Sequence, residues 1–257
     1  MINSVCADTL RAAGASSDKV GAMEINCDAG EVSREIDDAI LPFVSACSVC
    51  CGAHAGDEKL IRGTIQSAIH HQVKIGAHPS WPDRENFGRR TMNLSAAQLR
   101  ETLRQQILFV KSLVEEEGSE LHHVKPHGAL YHDVRSDESI AATLLDVVES
   151  IDPTLAIFGM PNSTLAQQCS LKGLPFVNEG FADRRYESET KLRSRSETDA
   201  LISDPADFLL QLKQLVSGRV EDIHGKIHDL SIETICLHSD TANAVQFARL
   251  ANDFITA

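Results

Sequence analysis

Four histidines, three aspartates, a glutamate, a lysine and an arginine stand just after apolar runs that lie far apart in this chain. They are Asp28 and Glu31, His54, His78, Lys125 and His127, Asp183 and Arg184, and His238 and Asp240. A single histidine in such a place is usually a hydrogen-bonded loop residue, but four after four different runs point to function. An imidazole with a pKa of about 6.5 moves protons at neutral pH, and a neighbouring carboxylate fixes its tautomer. Lys125 and Arg184 can stabilise negative charge developing on an oxygen. An aspartate with two histidines is equally a ligand set for a divalent metal, which would make a bound water nucleophilic. Asp28, His54 and His78 are the candidates for that set, although their spacing is no local metal motif. Both readings are hydrolytic.

Other chemistries lack their signatures. The sequence has no GxxxxGK[ST] phosphate loop, no GxGxxG turn after the first apolar run and no GxSxG elbow. Any ATP requirement would therefore be met mainly by a partner chain or by an unfamiliar site. Cys27 neighbours Asp28, yet nothing marks its thiolate as stabilised. His70 and His71 close a helical stretch, where a C-terminal dipole accommodates them, and read as structural.

The elements that must gather these residues recur from Met23 onward as a short β-rich run, a turn bearing Gly, His or Asp, and a helical period. The runs are Met23–Asn26, Ser48–Cys51, Val73–Ala77, His123–Lys125, Leu155–Phe158, Pro175–Asn178 and Thr234–Leu237. Between them, Asp57 is placed to cap a helix containing Leu60, Ile61, Ile65 and Ile69. Ser95 and Gln98 have capping-box spacing ahead of Leu99, Leu103, Ile107, Val110 and Val114. Ile140, Leu144, Val147, Val148 and Ile151 form another stripe, closed by Asp152-Pro153. Strands alternating with helices imply a parallel sheet, because parallel neighbours need a crossover. Polar residues after nearly every strand favour a barrel, whose C-terminal rim collects them, over a sheet with one switch point. The expected fold is an irregular seven-stranded (β/α) TIM-like barrel over residues 22–257, preceded by a polar extension at residues 1–21. The polar segment Glu187–Ser203 is long for a βα connection and reads either as a lid over the rim or as a solvated excursion.

The chain's 24 Lys and Arg against 37 Asp and Glu give a formal net charge of −13. There is no basic cluster of the kind that displaces counterions from phosphates, which argues against nucleic acid. No apolar stretch approaches the ~20 residues of a membrane helix. Seven cysteines, an odd number without duplicated zinc-ribbon spacing, suggest a reduced, cytoplasmic protein.

Seven ordered blocks resemble the LamB/YcsF family, the A subunits of prokaryotic 5-oxoprolinase. They are Asn26-Cys27-Asp28 with Gly30-Glu31, Cys51-Gly52-Ala53-His54-Ala55-Gly56-Asp57, Ile75-Gly76-Ala77-His78-Pro79 and Phe87-Gly88-Arg89-Arg90. His123 through Tyr131, Phe181-Ala182-Asp183-Arg184 with Tyr186, and Ile235-Cys236-Leu237-His238-Ser239-Asp240 complete the series. The resemblance implies a barrel of the glycoside hydrolase/deacetylase type. It also implies cleavage of 5-oxo-L-proline to L-glutamate coupled to ATP hydrolysis, in company with B and C subunits. On this basis His54, His78 and His127 are candidates for proton transfer, with Asp28 and Asp183 as orienting or basic groups. Glu31, Lys125, Arg184, His238 and Asp240 are the candidates for substrate contact, with Lys125, Arg184 and His238 binding carboxylate or phosphoryl oxygen. The chain departs from the family pattern in the shortened loop Val32-Ser33-Arg34-Glu35, in Ala53 where a bulky aromatic is usual, in Ser239 where glycine is usual, and in Thr198-Asp199 where Pro-Gly is usual. None removes a candidate catalytic group. A metal-dependent deacetylase or amidohydrolase acting without ATP, and a metabolite-binding regulatory protein, are the alternative readings.

Overall fold

A computed structural model describes residues 23–257. The extension read at residues 1–21 lies outside the described residues, as does Cys6. The strands run in chain order as β1 (Glu24–Ala29), β2 (Ala46–Cys50), β3 (Lys74–His78), β4 (Leu121–Val124), β5 (Ala156–Gly159), β6 (Phe176–Phe181), β7 (Tyr186–Ser188), β8 (Lys191–Leu192), β9 (Arg219–Glu221), β10 (Ile227–Asp229) and β11 (Thr234–Leu237). The first six and β11 close a parallel barrel in the order β1-β2-β3-β4-β5-β6-β11, with β11 pairing back to β1. The expected seven-stranded barrel is therefore observed. Its irregularity lies at the β3–β4 pairing, where the register shifts between Ile75 and Gly76.

Among the described residues, eight helices surround it: α1 (Arg34–Ile40), α2 (Glu58–His70), α3 (Ala96–Glu116), α4 (Gly128–Ser136), α5 (Glu138–Ile151), α6 (Thr164–Lys172), α7 (Pro205–Val216) and α8 (Ala244–Thr256). Their starts follow the expected capping chemistry. Asp57 accepts the Leu60 N–H at 2.8 Å, and Ser95 and Gln98 form a reciprocal capping box. The apolar stripes of α2, α3 and α5 are buried, those of α2 and α3 against barrel strands and that of α5 among α3, α4 and α6. Among the described residues no helix is long and apolar enough to cross a membrane.

A parallel strand covered by helices outside and packed inside reads as one apolar run, and β2, Ala-Cys-Ser-Val-Cys, is buried throughout. The polar exceptions bond to one another inside the barrel. Asn26 donates to Glu179 and to Thr234, each at 2.9 Å, and Ser48 Oγ lies 3.1 Å from His123 Nε2. That second contact joins β2 to β4 across β3, where Gly76 stands. A Cβ on Gly76 would come within 2.3 Å of the His123 ring, so the missing side chain is what lets the imidazole reach Ser48.

Several sequence expectations change here: β1 runs to Ala29 and β3 to His78, so Asp28 and His78 lie within strand ends and not after them. The sixth strand runs to Phe181 and not to Asn178, which places Glu179 inside the barrel and not in a loop. The segment after Tyr186 is no solvated excursion. Its β7–β8 hairpin and the Arg184–Leu201 bridge fold it onto the mouth, burying Leu192, Ala200 and Ile202.

Gly76→Ala should destabilise the chain by about 1–3 kcal/mol in urea denaturation, the usual cost of overpacking. Combined with His123→Ala, it should cost less than the sum of the two single changes. Strict additivity would remove the steric account of this glycine.

Candidate active site

Lys125, immediately after β4, sends its ammonium into the barrel mouth with 2% of its surface exposed. Nζ lies 2.9 Å from Asp28 Oδ1, 2.9 Å from Glu179 Oε1, 2.9 Å from Cys236 Sγ and 3.2 Å from Asn26 Oδ1. These neighbours come from β1, β6 and β11, so one cation ties the strands on one side of the barrel to β4. Burial opposes its charge, but Asp28, Cys236 and Glu179 override burial and raise its pKa. Glu179 is held from its other oxygen by the Tyr131 hydroxyl at 2.9 Å.

Beside this cation lies a cluster of three imidazoles and two carboxylates. His127 stacks on His54, with ring centres 3.9 Å apart, and meets His78 edge-on. Glu31 Oε1 lies 2.9 Å from His54 Nε2 and 3.1 Å from His127 Nδ1. Asp28 Oδ1 lies 3.4 Å from His78 Nε2. Burial raises the Asp28 and Glu31 pKa values, but the neighbouring cations and imidazoles outweigh it, His78 and Lys125 at Asp28 and His127 and His54 at Glu31. Both carboxylates are left below their ordinary range. Burial pushes His54 down to about 4. As a neutral ring it donates from Nε2 to Glu31 and presents Nδ1 to Ser80 Oγ, 2.9 Å away. Ser80 is itself clamped by Gln106 of α3, which accepts from its N–H and donates to its carbonyl, both at 2.9 Å. Two tight turns complete the cluster. Phe87 adopts a left-handed conformation, φ 55°, and its carbonyl lies 2.9 Å from His127 Nε2. Gly128, φ +56°, lets the chain after His127 pass so close to Gly88 that a Cβ would meet the Gly88 carbonyl at 2.6 Å.

A third group holds His238, whose Nδ1 lies 3.0 Å from Asp183 Oδ2 while its backbone N–H donates to the same oxygen at 2.9 Å. Asp183 is depressed in pKa, since His238 outweighs its burial. His238, Asp28, His78, Lys125 and His127 all border one cavity of about 1000 Å³. Its outer wall is mainly basic, lined by Arg89, Arg135, Arg184, Lys191, Arg193 and Arg195 together with Asp133, Glu187 and Glu197. Arg184 is 3% exposed, donates to the Arg193 carbonyl, and among the described residues makes no ion pair with a carboxylate. Its Nε and that of Arg135 are buried without partners. Burial first and Arg195 second bring the Arg184 pKa down to about 10. This is a guanidinium short of an anion.

The expected site residues thus converge, with three corrections. Asp240 does not border the cavity, and Glu31, His54 and Asp183 stand behind its lining. Asp240 accepts from Arg89 and, at 2.9 Å, from Arg195, so it holds two rim arginines in place. Lys125 has all three ammonium protons directed at internal acceptors, which makes it the charge that fixes Asp28 and not a free substrate ligand. His54 leaves the expected metal set, because its nitrogens turn to Ser80 and Glu31 and it is not among the converging donors. The donor atoms that lie within 4.8 Å of one another belong to Asp28, Glu31, His78 and His127, and in a second group to Asp28, Cys236 and His238. The sequence reading missed Asn26, Glu179, Tyr131, Ser80 and Gln106, which lie within strands and helices or next to a proline and carry no loop signature. Arg89 and Arg195 had a visible signal, being basic residues in an otherwise acidic chain. Cys27 is buried with a raised thiol pKa, caused first by burial, and so is not activated as a nucleophile.

Acid should weaken the fold. Burial lowers the pKa of His123, and burial, Arg184 and Arg135 bring His132 down to about 4. Between about pH 6.5 and 4 the unfolded chain therefore binds protons at these rings, and at His54, that the native state refuses. Asp37, raised to about 6 chiefly by burial, and His78, raised because Asp28 and Glu31 outweigh its burial, oppose this with one proton each. The urea midpoint should fall between pH 7 and pH 5, and less steeply in His132→Asn. A flat or rising midpoint would contradict these assignments.

The LamB/YcsF family model matches residues 23–257. The chain is 41% identical to the A subunit of 5-oxoprolinase from Bacillus cereus strain B4264 over 233 residues, which cover 88% of this chain and 92% of the relative. It is 40% identical over the same shares to the A subunit of 5-oxoprolinase from Bacillus thuringiensis subsp. konkukian. Its structure is similar to the crystal structure of a lactam utilization protein from Thermus thermophilus. That similarity has a TM-score of 0.84 at 32% identity and covers 92% of this chain and 96% of the other. With the seven-stranded barrel expected from the sequence present in the structure, and with these matches along nearly its whole described length, the chain belongs to the LamB/YcsF family.

Proposed function

We propose that this chain is the ring-opening component of an ATP-dependent 5-oxoprolinase, converting 5-oxo-L-proline to L-glutamate together with B and C subunits. The observation that carries the reading is the pairing, in one cavity, of an anion-deficient guanidinium with a proton-transfer cluster. Arg184 lines the outer wall and the Asp28–His78–His127 group the floor. 5-Oxoproline is a small lactam with a free carboxylate, and a buried arginine is the side chain best matched to a carboxylate. The relatives, A subunits of 5-oxoprolinase and a lactam utilization protein, support the same substrate class.

The chemistry explains the need for a partner. A five-membered lactam is a stable amide, and transfer of a phosphoryl group to its carbonyl oxygen turns that oxygen into part of a leaving group. ATP is bound mainly by the partner chains in this reading, consistent with the absence of a phosphate loop here. Water then adds to the activated carbon, the ring C–N bond breaks and the nitrogen gains a proton, leaving a γ-glutamyl phosphate that a second water hydrolyses to glutamate and inorganic phosphate. His127 and His78, backed by Glu31 and Asp28, take the proton from water and return one to nitrogen. Arg184 and His238 hold the carboxylate and the phosphoryl oxygens.

The test is glutamate release from 5-oxoproline with ATP, using this chain with and without the B and C partners. Glutamate should form only in the full mixture with ATP. Arg184→Met should lower kcat/KM by about 10–100-fold, the loss of a charge-assisted bond worth about 1.5–3 kcal/mol. Amide cleavage by this chain without ATP would replace the reading with a metal-dependent amidohydrolase. Undiminished glutamate after neutralising mouth residues would replace it with a regulatory role.

A further inference from the structure

Two backbone carbonyls decide which nitrogens of His78 and His127 are free. The Lys125 carbonyl lies 2.7 Å from His78 Nδ1, and the Phe87 carbonyl 2.9 Å from His127 Nε2. A carbonyl oxygen only accepts, so both of those nitrogens carry hydrogen. In the neutral rings the remaining nitrogens, His78 Nε2 and His127 Nδ1, are bare lone pairs, and they face each other at 3.0 Å. Glu31 Oε1 stands 3.1 Å from the one on His127 and 3.7 Å from the one on His78. Asp28 Oδ1 stands 3.4 Å from His78 Nε2. With both rings neutral, four electron-pair donors converge with no hydrogen between them, an arrangement that requires positive charge at its centre, either a proton or an ion.

We propose that this centre binds a divalent first-row transition-metal ion, with Asp28, Glu31, His78 and His127 as its protein ligands. Three observations favour an ion over a proton shared between the rings. The outward nitrogens are pinned by backbone carbonyls, the arrangement that orients metal-binding imidazoles and fixes their tautomers. The donor separations of 3.0, 3.1, 3.4 and 3.7 Å suit one central ion. Ligands about 2.1 Å from a metal lie roughly 3.0 Å apart at octahedral and roughly 3.4 Å apart at tetrahedral edges. Charge agrees as well. Asp28, Glu31 and Glu179 bring three formal negative charges and Lys125 one positive charge, so the neutral-histidine centre is short of two positive charges, which a divalent ion supplies. Lys125 Nζ shares Asp28 Oδ1 at 2.9 Å, leaving that carboxylate bridged between the ammonium and the ion. Mixed imidazole and carboxylate donors suit zinc, manganese, iron, cobalt or nickel better than magnesium or calcium. Bound there, the ion would polarise a carbonyl or phosphoryl oxygen or acidify a water, and His78 and His127, with both nitrogens then occupied, would serve the reaction as its ligands in place of carrying protons themselves.

The proposal rests on the donor atoms alone and holds whichever amide the chain cleaves. Its test is direct metal binding by the full chain, stripped with a chelator and titrated with Co²⁺ and Zn²⁺ by calorimetry, with the cobalt d–d absorption as a second readout. One equivalent should bind with a cobalt spectrum. Glu31→Gln and His78→Asn, shown by circular dichroism to be folded, should each weaken binding at least ~10-fold. His228→Asn, at the separate His228–Asp222 contact far along the chain, should leave it unchanged. Two results would overturn the site: no stoichiometric binding by the folded chain, which leaves a shared proton as the occupant, or stoichiometric binding that both ligand variants retain in full.

Discussion

A charged ammonium in a closed barrel has no water to solvate it, and the mouth of this molecule is organised around satisfying one. Lys125 draws Asp28, Glu179, Asn26 and Cys236 toward a single point. Removing one member of such a buried pair leaves an uncompensated charge, at a cost of about 3–5 kcal/mol. The same residue's backbone carbonyl fixes His78 Nδ1. Charge and geometry are thereby set by one residue, and His78 inherits its orientation from the residue that neutralises Asp28. The rest of the site is support for that arrangement: Gln106 holding Ser80, Ser80 holding His54, and Phe87 holding His127.

The cavity is electrically divided. Carboxylates and imidazoles occupy its floor, while its outer wall is built from arginines and a lysine carried mostly by the segment after β6. In a chain of formal charge −13 this local excess of positive charge favours small anions at the mouth. Asp240 and Glu187 pair with the arginines that are already positioned. Arg184, without such a pair, is left to an incoming ligand.

Most of the fold was legible because a parallel barrel repeats one local rule. Each strand is a short apolar run, each helix has a 3.6-residue stripe, and the polar residues after the strands mark the rim. Asp57, Ser95 and Asp152-Pro153 bounded their helices as their side-chain chemistry requires. The charge cradle was less legible. Asn26 and Glu179 are polar residues within strands, and alternation alone does not tell a residue bonded inside a barrel from one at a strand end. The assignment of ligands to His78 and His127, with His54 left out, depends on which ring nitrogen meets a backbone carbonyl. No spacing in the chain encodes that. Asp240 has the sequence position of a substrate-contact residue, but its partners, Arg89 and Arg195, come from 151 and 45 residues away.

The central claim is a division of labour, with activation of the lactam by partner chains and opening of the ring here. It is tested most directly by measuring ATP hydrolysis and glutamate formation together in the assembled enzyme carrying His127→Asn. Under this division glutamate formation falls by about 10²–10⁴-fold, the usual contribution of a general acid–base group, while 5-oxoproline-dependent ATP hydrolysis falls far less, so that the two become uncoupled. Glutamate formed at the original rate and in the original ratio to ATP, by an intact assembly, would contradict it and move the ring-opening chemistry to a partner chain.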